Sequence, residues 1–342
     1  MDMKFNEERK QSILLYLLDK IDRQENSISK SVAEVFGVNQ NTIHVYINEL
    51  VDQNIIERIK RGQYKLKKSE YQYSLARGKG DLDTDTFAYD NCLFKHINNL
   101  APNVQAIWSY SFSEMINNVM DHSLAENVQI FIIQDYLKTM AVIADDGIGI
   151  FKKIKDYFGF DTLDEAICEL FKGKLTTDAE NHSGEGIFFS SKMMDDFIIF
   201  SSGKVFTNNK YDNSVTADIP ILSREGTCVL MSLTNFTNKK PQEVFDLYAD
   251  VAGGFEKTKI PMKNIFDTSP VSRSQAKRVC NRLEKFSEVI LDFEDLQWMG
   301  QGFAHQIFVV FAREHPEINL IPINMNEDIT KMYQHVINTK EA

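Results

Sequence analysis

The sequence is short of the residues that staple, break or anchor a chain. Only four of its 342 residues are cysteine, and Cys92, Cys168, Cys228 and Cys280 lie far apart with no C-x-x-C spacing. That excludes a disulfide scaffold and a cysteine-ligated metal of the usual spacing, and leaves reduced thiols in a core. Seven prolines and 16 glycines are too few for a collagen-like or low-complexity chain. No apolar run approaches the ~18 residues of a membrane-spanning helix. The charged opening MDMKFNEERK does not read as a secretory leader. A cytoplasmic protein without a membrane partner is expected. Positive charge is also scarce, with 38 Lys+Arg against 49 Asp+Glu and a net charge of −11. Residues 1–72 hold 12 of the basic and 11 of the acidic residues, so the acid surplus belongs to the remainder. Only the N-terminal segment offers a surface for a polyanion.

Length suggests two or three domains. We divide the chain at two glycine-bearing stretches, RGKGDLDTD and VAGGFEKTKIP. This gives a first block over 1–75, a linker over 76–86, a middle block over 87–250 and a last block over 251–342.

In the first block, SISKSVAEVFGVNQNTIHVYINEL repeats apolar residues at three- and four-residue steps on each side of Gly37. Two short helices joined by a tight turn follow. The second helix opens with Asn39, Gln40, Asn41, Thr42 and His44, types that hydrogen-bond phosphates and base edges. IIERIKRGQYKLKK then reads as a hairpin turning at Arg61-Gly62, with six basic residues and no acid over 58–68. This block resembles the winged helix-turn-helix family. The resemblance implies a recognition helix over 39–52 and a wing over 55–67. It places Arg58, Lys60, Arg61 and Lys65 near the phosphates of double-stranded DNA. Use of the same block for protein contacts alone is the other reading.

The middle block holds four separated pieces. EMINNVMDHS reads as helix, with Glu114 and Asn118 four apart on one face and Asp121 or His122 continuing the stripe. TMAVIADDGIGI reads as a strand ending in Asp145, followed by Gly147 and Gly149. NHSGEGIFF places Ser183, Gly184, Glu185 and Gly186 before a helix-like run, where free N–H groups can meet phosphate. REGTCVLMSL is a strand with Thr227 near its start. Each piece alone is common. In this order they resemble the GHKL ATPase family, which includes gyrase, mismatch-repair proteins, sensor histidine kinases and anti-sigma-factor kinases.

The resemblance implies ATP and Mg²⁺ as ligands and an α+β sandwich with helices on one face of a mixed sheet. It assigns Asn118 to the metal, and Glu114 to the attacking water in members that hydrolyse. Asp145 would accept from the adenine amine with support from Thr227, while Gly147 and Gly149 would let the base pack closely. Gly184 and Gly186 would close over phosphate, and Asn117, Asp121 and His122 also fall in the N-terminal box. Residues 151–183 would form a lid, in which Lys172, Lys174, Thr176 and Thr177 read either as phosphate contacts or as exposed loop polarity. The second glycine box reads G-E-G-I-F, shorter than in typical histidine kinases, and no helical hairpin with a phosphoacceptor histidine precedes it. Histidine autokinase activity is therefore not expected.

The last block alternates strand and helix: an amphipathic helix in SRSQAKRVCNRLEKF, a strand at 288–293, a helix from about Gln301, a strand near 318–323 and a helix near 327–337. It resembles the STAS-like domains found C-terminal to GHKL modules in bacterial proteins. The loop EDLQWMGQGFAH lacks the serine or threonine that anti-anti-sigma relatives present for phosphorylation. The block therefore reads as a protein-interaction or sensing module, with Asp292 structural. The expected whole is a multidomain, cytoplasmic bacterial regulator, a homodimer or a monomer, in which a slow ATPase biases DNA or protein binding. A serine/threonine kinase of the anti-sigma type and a non-catalytic ATP-binding scaffold are the alternatives.

Overall fold

The computed structural model describes residues 2–175, 184–208, 225–249, 254–266 and 268–338. They fall into two compact units: Met1–Gln72 with Phe131–Ala141 and Ser232–Thr237, and Tyr73–Ile130 with Val142–Met231 and Asn238–Ala342.

The first unit opens with helix α1 (Asp2–Asp22). Its buried Ile13, Leu17, Leu18 and Ile21 recur at helical spacing and pack with Val32 and Ile43. Helix α2 (Ile28–Phe36) stops at Gly37, in the left-handed region at φ 61°. Gly37 N–H donates to Glu34 and Val38 N–H to Ala33, the paired bonds that satisfy a helix end. Asn39 then caps helix α3 (Gln40–Asp52), its side chain accepting from Asn41 N–H at 2.8 Å. Strands β1 (Ile56–Lys60) and β2 (Gln63–Leu66) pair antiparallel from Ile56↔Leu66 to Lys60↔Gln63. Only inward Ile56, Tyr64 and Leu66 are buried there, so the basic residues face water.

A six-stranded sheet follows, in the order β3 (Ser69–Ala76), β4 (Asn127–Gln134), β5 (Lys138–Asp145), β8 (Thr227–Thr234), β6 (Asp196–Ser201), β7 (Lys204–Thr207). Strand β8 is buried along nearly its whole length, as a central strand covered on both faces must be. Asp145 at the end of β5 and Thr227 at the start of β8 are therefore neighbours. Helix α4 (Pro102–Asn118) buries Trp108, Phe112 and Met115 and packs against helix α7 (Gly186–Met193). Helices α5 (Ile150–Phe158) and α6 (Leu163–Lys172) lie between β5 and α7 in the chain. The segment read as a linker carries a 3₁₀ turn at Arg77–Lys79. The Arg77 guanidinium donates to the carbonyls of Ala125 and Met120.

After helix α8 (Pro241–Tyr248), strands β9 (Lys257–Pro261), β10 (Glu288–Asp292) and β11 (Asn319–Ile323) form a wholly parallel sheet with β10 in the centre. Parallel neighbours need crossovers. Helix α9 (Arg273–Cys280) and helix α10 (Gln301–His305), continued by a π-helical stretch at Gln306–Phe311, supply them. Helix α11 (Glu327–Asn338) follows β11. Asp292 accepts from Lys259 Nζ at 2.7 Å, Asn324 Nδ2 at 2.9 Å and Glu294 N–H at 3.1 Å, fastening β9, β10 and the end of β11 together. The chain is thus a multidomain α+β protein with mixed and parallel sheets. All four thiols are buried and free, and burial pushes Cys228 and Cys280 up to about 12.

Candidate functional site

A cavity of about 270 Å³ lies in the second unit. Helix α4 brings Glu114, Asn117 and Asn118 to its wall, β5 brings Asp145, β8 brings Thr227, and the start of α7 brings Gly186. Ile150, Ile199 and Val229 supply apolar surface. A half-apolar cavity with a few convergent polar groups is what a small-molecule site requires.

Asp145 is the best-defined polar group. It is 8% exposed, and its Oδ1 accepts from Gly147 N–H at 2.8 Å and Thr227 N–H at 3.3 Å. Oδ2 makes no hydrogen bond among the described residues, so one acceptor is held fixed while the other remains for a ligand. Burial pushes this carboxyl up to about 6, against the two backbone donors that lower it. The Thr227 hydroxyl accepts from Ile150 N–H at 3.0 Å and fixes the start of α5. Next door, Asp146 is held below the usual carboxylate range. Partial burial would raise it, but Asn127, through N–H and side chain, and Glu126 N–H all donate to it. Adjacent acids thus differ because one is buried at a cavity wall and the other caps the start of a strand.

Glu114 lies against Gly186, where a Cβ would meet its carboxylate. This close approach explains glycine at the first position of α7. Burial raises the Tyr110 hydroxyl above its ordinary value, and the carboxylates of Glu114 and Glu185 raise it further. Gly184, at φ 72°, also admits only glycine, because a Cβ would meet the Leu175 backbone. Gly184 C=O accepts from Leu175 N–H at 3.1 Å, and both residues line the cavity.

Several expected positions move. The α-helix ends at Asn118, and Val119–Ser123 form a π turn. Its extra residue per turn breaks the expected stripe, so His122 lines the cavity and exposed Asp121 does not. Gly147 does not line this cavity either; the space of its missing side chain is taken by the Ser123 carbonyl. Gly149 does line it, at φ 82°. Glu185 stands outside the lining, half-buried.

The lid lysines are committed elsewhere. Lys172 is 1% exposed, pairs with Glu169 at 2.5 Å, and donates to the carbonyls of Arg278 and Asn281 at 3.1 and 2.5 Å. Lys174 Nζ is held by Glu256 at 2.9 Å and the Lys285 carbonyl at 2.7 Å. Thr176, Thr177 and Ser183 lie outside the described residues. Lys153, which the sequence reading passed over, does line the cavity. Its signal was the helical step from Gly149, legible only once α5 is seen to start there.

In the first unit, Asn39, Gln40, Asn41, His44, Arg58, Lys60, Arg61 and Lys65 are exposed and Thr42 half-exposed. Asn39 is spent on the cap, Gln40 donates to Ser29 at 2.9 Å, and Arg58 donates to the Tyr64 hydroxyl. Lys65 pairs with Glu57 at 2.7 Å. Lys60 and Arg61 stand at the exposed hairpin turn beside Gly62.

No helix among the described residues is long and apolar enough to cross a membrane. No curated protein matches the chain. Residues 275–330 match the family model described as a STAS-like domain of unknown function (DUF4325). They take in most of α9, then β10, α10, β11 and the start of α11, so residues 275–330 are a STAS-like domain.

Proposed function

We propose that this chain is a GHKL-type regulator that binds ATP with Mg²⁺, hydrolyses it slowly, and couples nucleotide state to the N-terminal block on DNA and to the STAS-like domain on a protein partner. The observation that carries this reading is Asp145, a buried carboxylate with one oxygen fixed by two backbone donors, in one cavity with Thr227, Asn118 and Glu114. An amine donor on a flat base suits such an acceptor in a cavity that Ile199 and Val229 also line. Asn118 offers an amide oxygen and Glu114 a carboxylate. Magnesium takes oxygen ligands and keeps several waters, so one amide oxygen together with phosphate is a sufficient donor set. The ion would neutralise phosphate charge. Glu114, which lies against Gly186, would orient a water. Exposed Asn41, His44, Lys60 and Arg61 support the DNA half of the reading.

The test is calorimetric titration with ATP and Mg²⁺ beside a phosphate-release assay. Wild type should bind and turn over, Asp145→Asn should lose binding, and Glu114→Ala should bind without turnover. Phosphate arriving on a partner's serine or threonine would shift the assignment to a protein kinase. Binding without turnover in wild type would leave a scaffold, and no binding at all would end the nucleotide reading.

A further inference from the structure

We infer that Lys153 is the residue that binds the polyphosphate of this cavity's ligand, an assignment that rests on the nucleotide reading above for the base but not for the phosphate. Among the described residues that line the cavity, Lys153 is the one lysine or arginine. The same wall carries the carboxylates of Glu114 and Asp145. A polyanion entering beside two carboxylates is repelled unless fixed positive charge faces it. The lysines at 172 and 174 lie outside the lining, turned to Glu169 and Glu256.

The position of Lys153 fits the task. It lies three residues into α5 from Ile150, whose N–H donates to Thr227, so its backbone is about 4.5 Å further along the helix axis. From there its Nζ reaches the His122 carbonyl at 2.8 Å. That carbonyl belongs to the π turn directly after Asn118. The bond pins the charge at the wall of the cavity that Asn118 also lines. A lysine so held acts on phosphate as a point charge, with its side chain ordered before the ligand arrives. The ligand class that follows is a di- or triphosphate accompanied by a divalent cation. A nucleoside without phosphate would leave Lys153 unused.

The experiment titrates the full chain with Mg²⁺-ADP, with adenosine and with Mg²⁺-tripolyphosphate, for wild type, Lys153→Ala, Lys153→Arg and Lys152→Ala. Lys152 is the exposed neighbour on the same helix, so its removal subtracts the same net charge outside the cavity lining. Lys153→Ala should weaken ADP and tripolyphosphate by about tenfold to a hundredfold, the loss expected of one charged hydrogen bond. It should leave adenosine within about twofold, whereas a lost packing contact would move both ligands. Lys153→Arg should recover part of the loss, and Lys152→Ala should match wild type. The inference is overturned if Lys153→Ala binds ADP and tripolyphosphate like wild type. It is equally overturned if adenosine falls by the same factor while the melting temperature drops, because Lys153 then only supports the π turn. If wild type binds neither adenosine nor ADP, the nucleotide reading fails. Tripolyphosphate then decides alone: Lys153-dependent binding keeps the inference, and none or Lys153-independent binding ends it.

Discussion

Asp145 shows how much one side chain can carry. Its carboxyl is raised from the ordinary 3.8 to about 6 by burial, so the folded chain holds a proton that the unfolded chain releases. Between about pH 4 and 6 folding takes up a proton, and stability falls as pH rises through that window. At pH 7 the buried charge costs about 2–3 kcal/mol. Asp145→Asn should therefore raise the melting temperature of the ligand-free protein at neutral pH and flatten its dependence between pH 4 and 6. A scanning calorimetry series over pH checks both. The same change should abolish adenine binding. Gly147 and Thr227 N–H require an acceptor, which turns the amide oxygen toward them and leaves the NH₂ where Oδ2 now stands. A donor would then oppose the amine of the base. Retained adenosine binding by the variant would remove Asp145 from the base-binding role.

Helix α6 packs against both its neighbours in the chain and against β9 and α9. Ala166, Ile167, Cys168, Glu169, Leu170, Phe171 and Lys172 are all buried, so its last two turns are covered on all sides, while Asp164 in its first turn is exposed. Lys172 also meets carbonyls near the end of α9, where the helix dipole favours a cation. Burial raises the Glu169 carboxyl while Lys172 and Arg282 lower it. Lys172→Met should cost about 3–5 kcal/mol, since a buried carboxylate loses its nearest partner. With the folded Glu169 carboxyl raised further, protonation favours the fold, so the deficit should shrink as pH falls toward 5. Urea unfolding at two pH values tests this, and Lys172→Met with Glu169→Leu should recover part of the loss. The β1–β2 hairpin invites a different test. If DNA is its partner, Lys60→Ala with Arg61→Ala should weaken binding alike on all sequences. The slope of log affinity against log salt should fall by about two. An unchanged slope would take these residues off the phosphate backbone.

At the scale of the whole molecule, the boundary read at 250/251 does not separate two compact bodies. The described residues on both sides of it fall in one unit, joined by Lys172 to Arg278 and Asn281, by Lys174 to Glu256, and by the Thr258 hydroxyl to the Lys172 carbonyl at 2.7 Å. A chain ending at 254 strips Lys172 and Glu169 of these partners and uncovers α6. It should lack the cooperative thermal transition of the full chain and aggregate on heating. Circular dichroism and light scattering decide this, and a sharp, reversible melt of the shortened chain would show that the middle block folds alone.

The sequence by itself determined the local elements, because local causes set them. Gly37 and Asn39 mark a helix end and a cap, Arg61-Gly62 a hairpin turn, and the strand–helix alternation after 257 a parallel sheet. It also put Glu114, Asn118, Asp145, Gly184, Gly186 and Thr227 forward together, through the order of the four pieces that carry them and the family which that order resembles. What only the tertiary structure decided depends on distant partners or on a change of helical period. Lys172 and Lys174 turned away because Glu169, Glu256 and carbonyls at 278, 281 and 285 lie within reach. Asp121 left the cavity, and His122 stayed, because the helix widens after Asn118. Lys153 joined the cavity because the His122 carbonyl, 31 positions earlier, pins its ammonium there. No pattern along the chain encodes such a contact, since its energy comes from the approach of the π turn at Val119–Ser123 to α5.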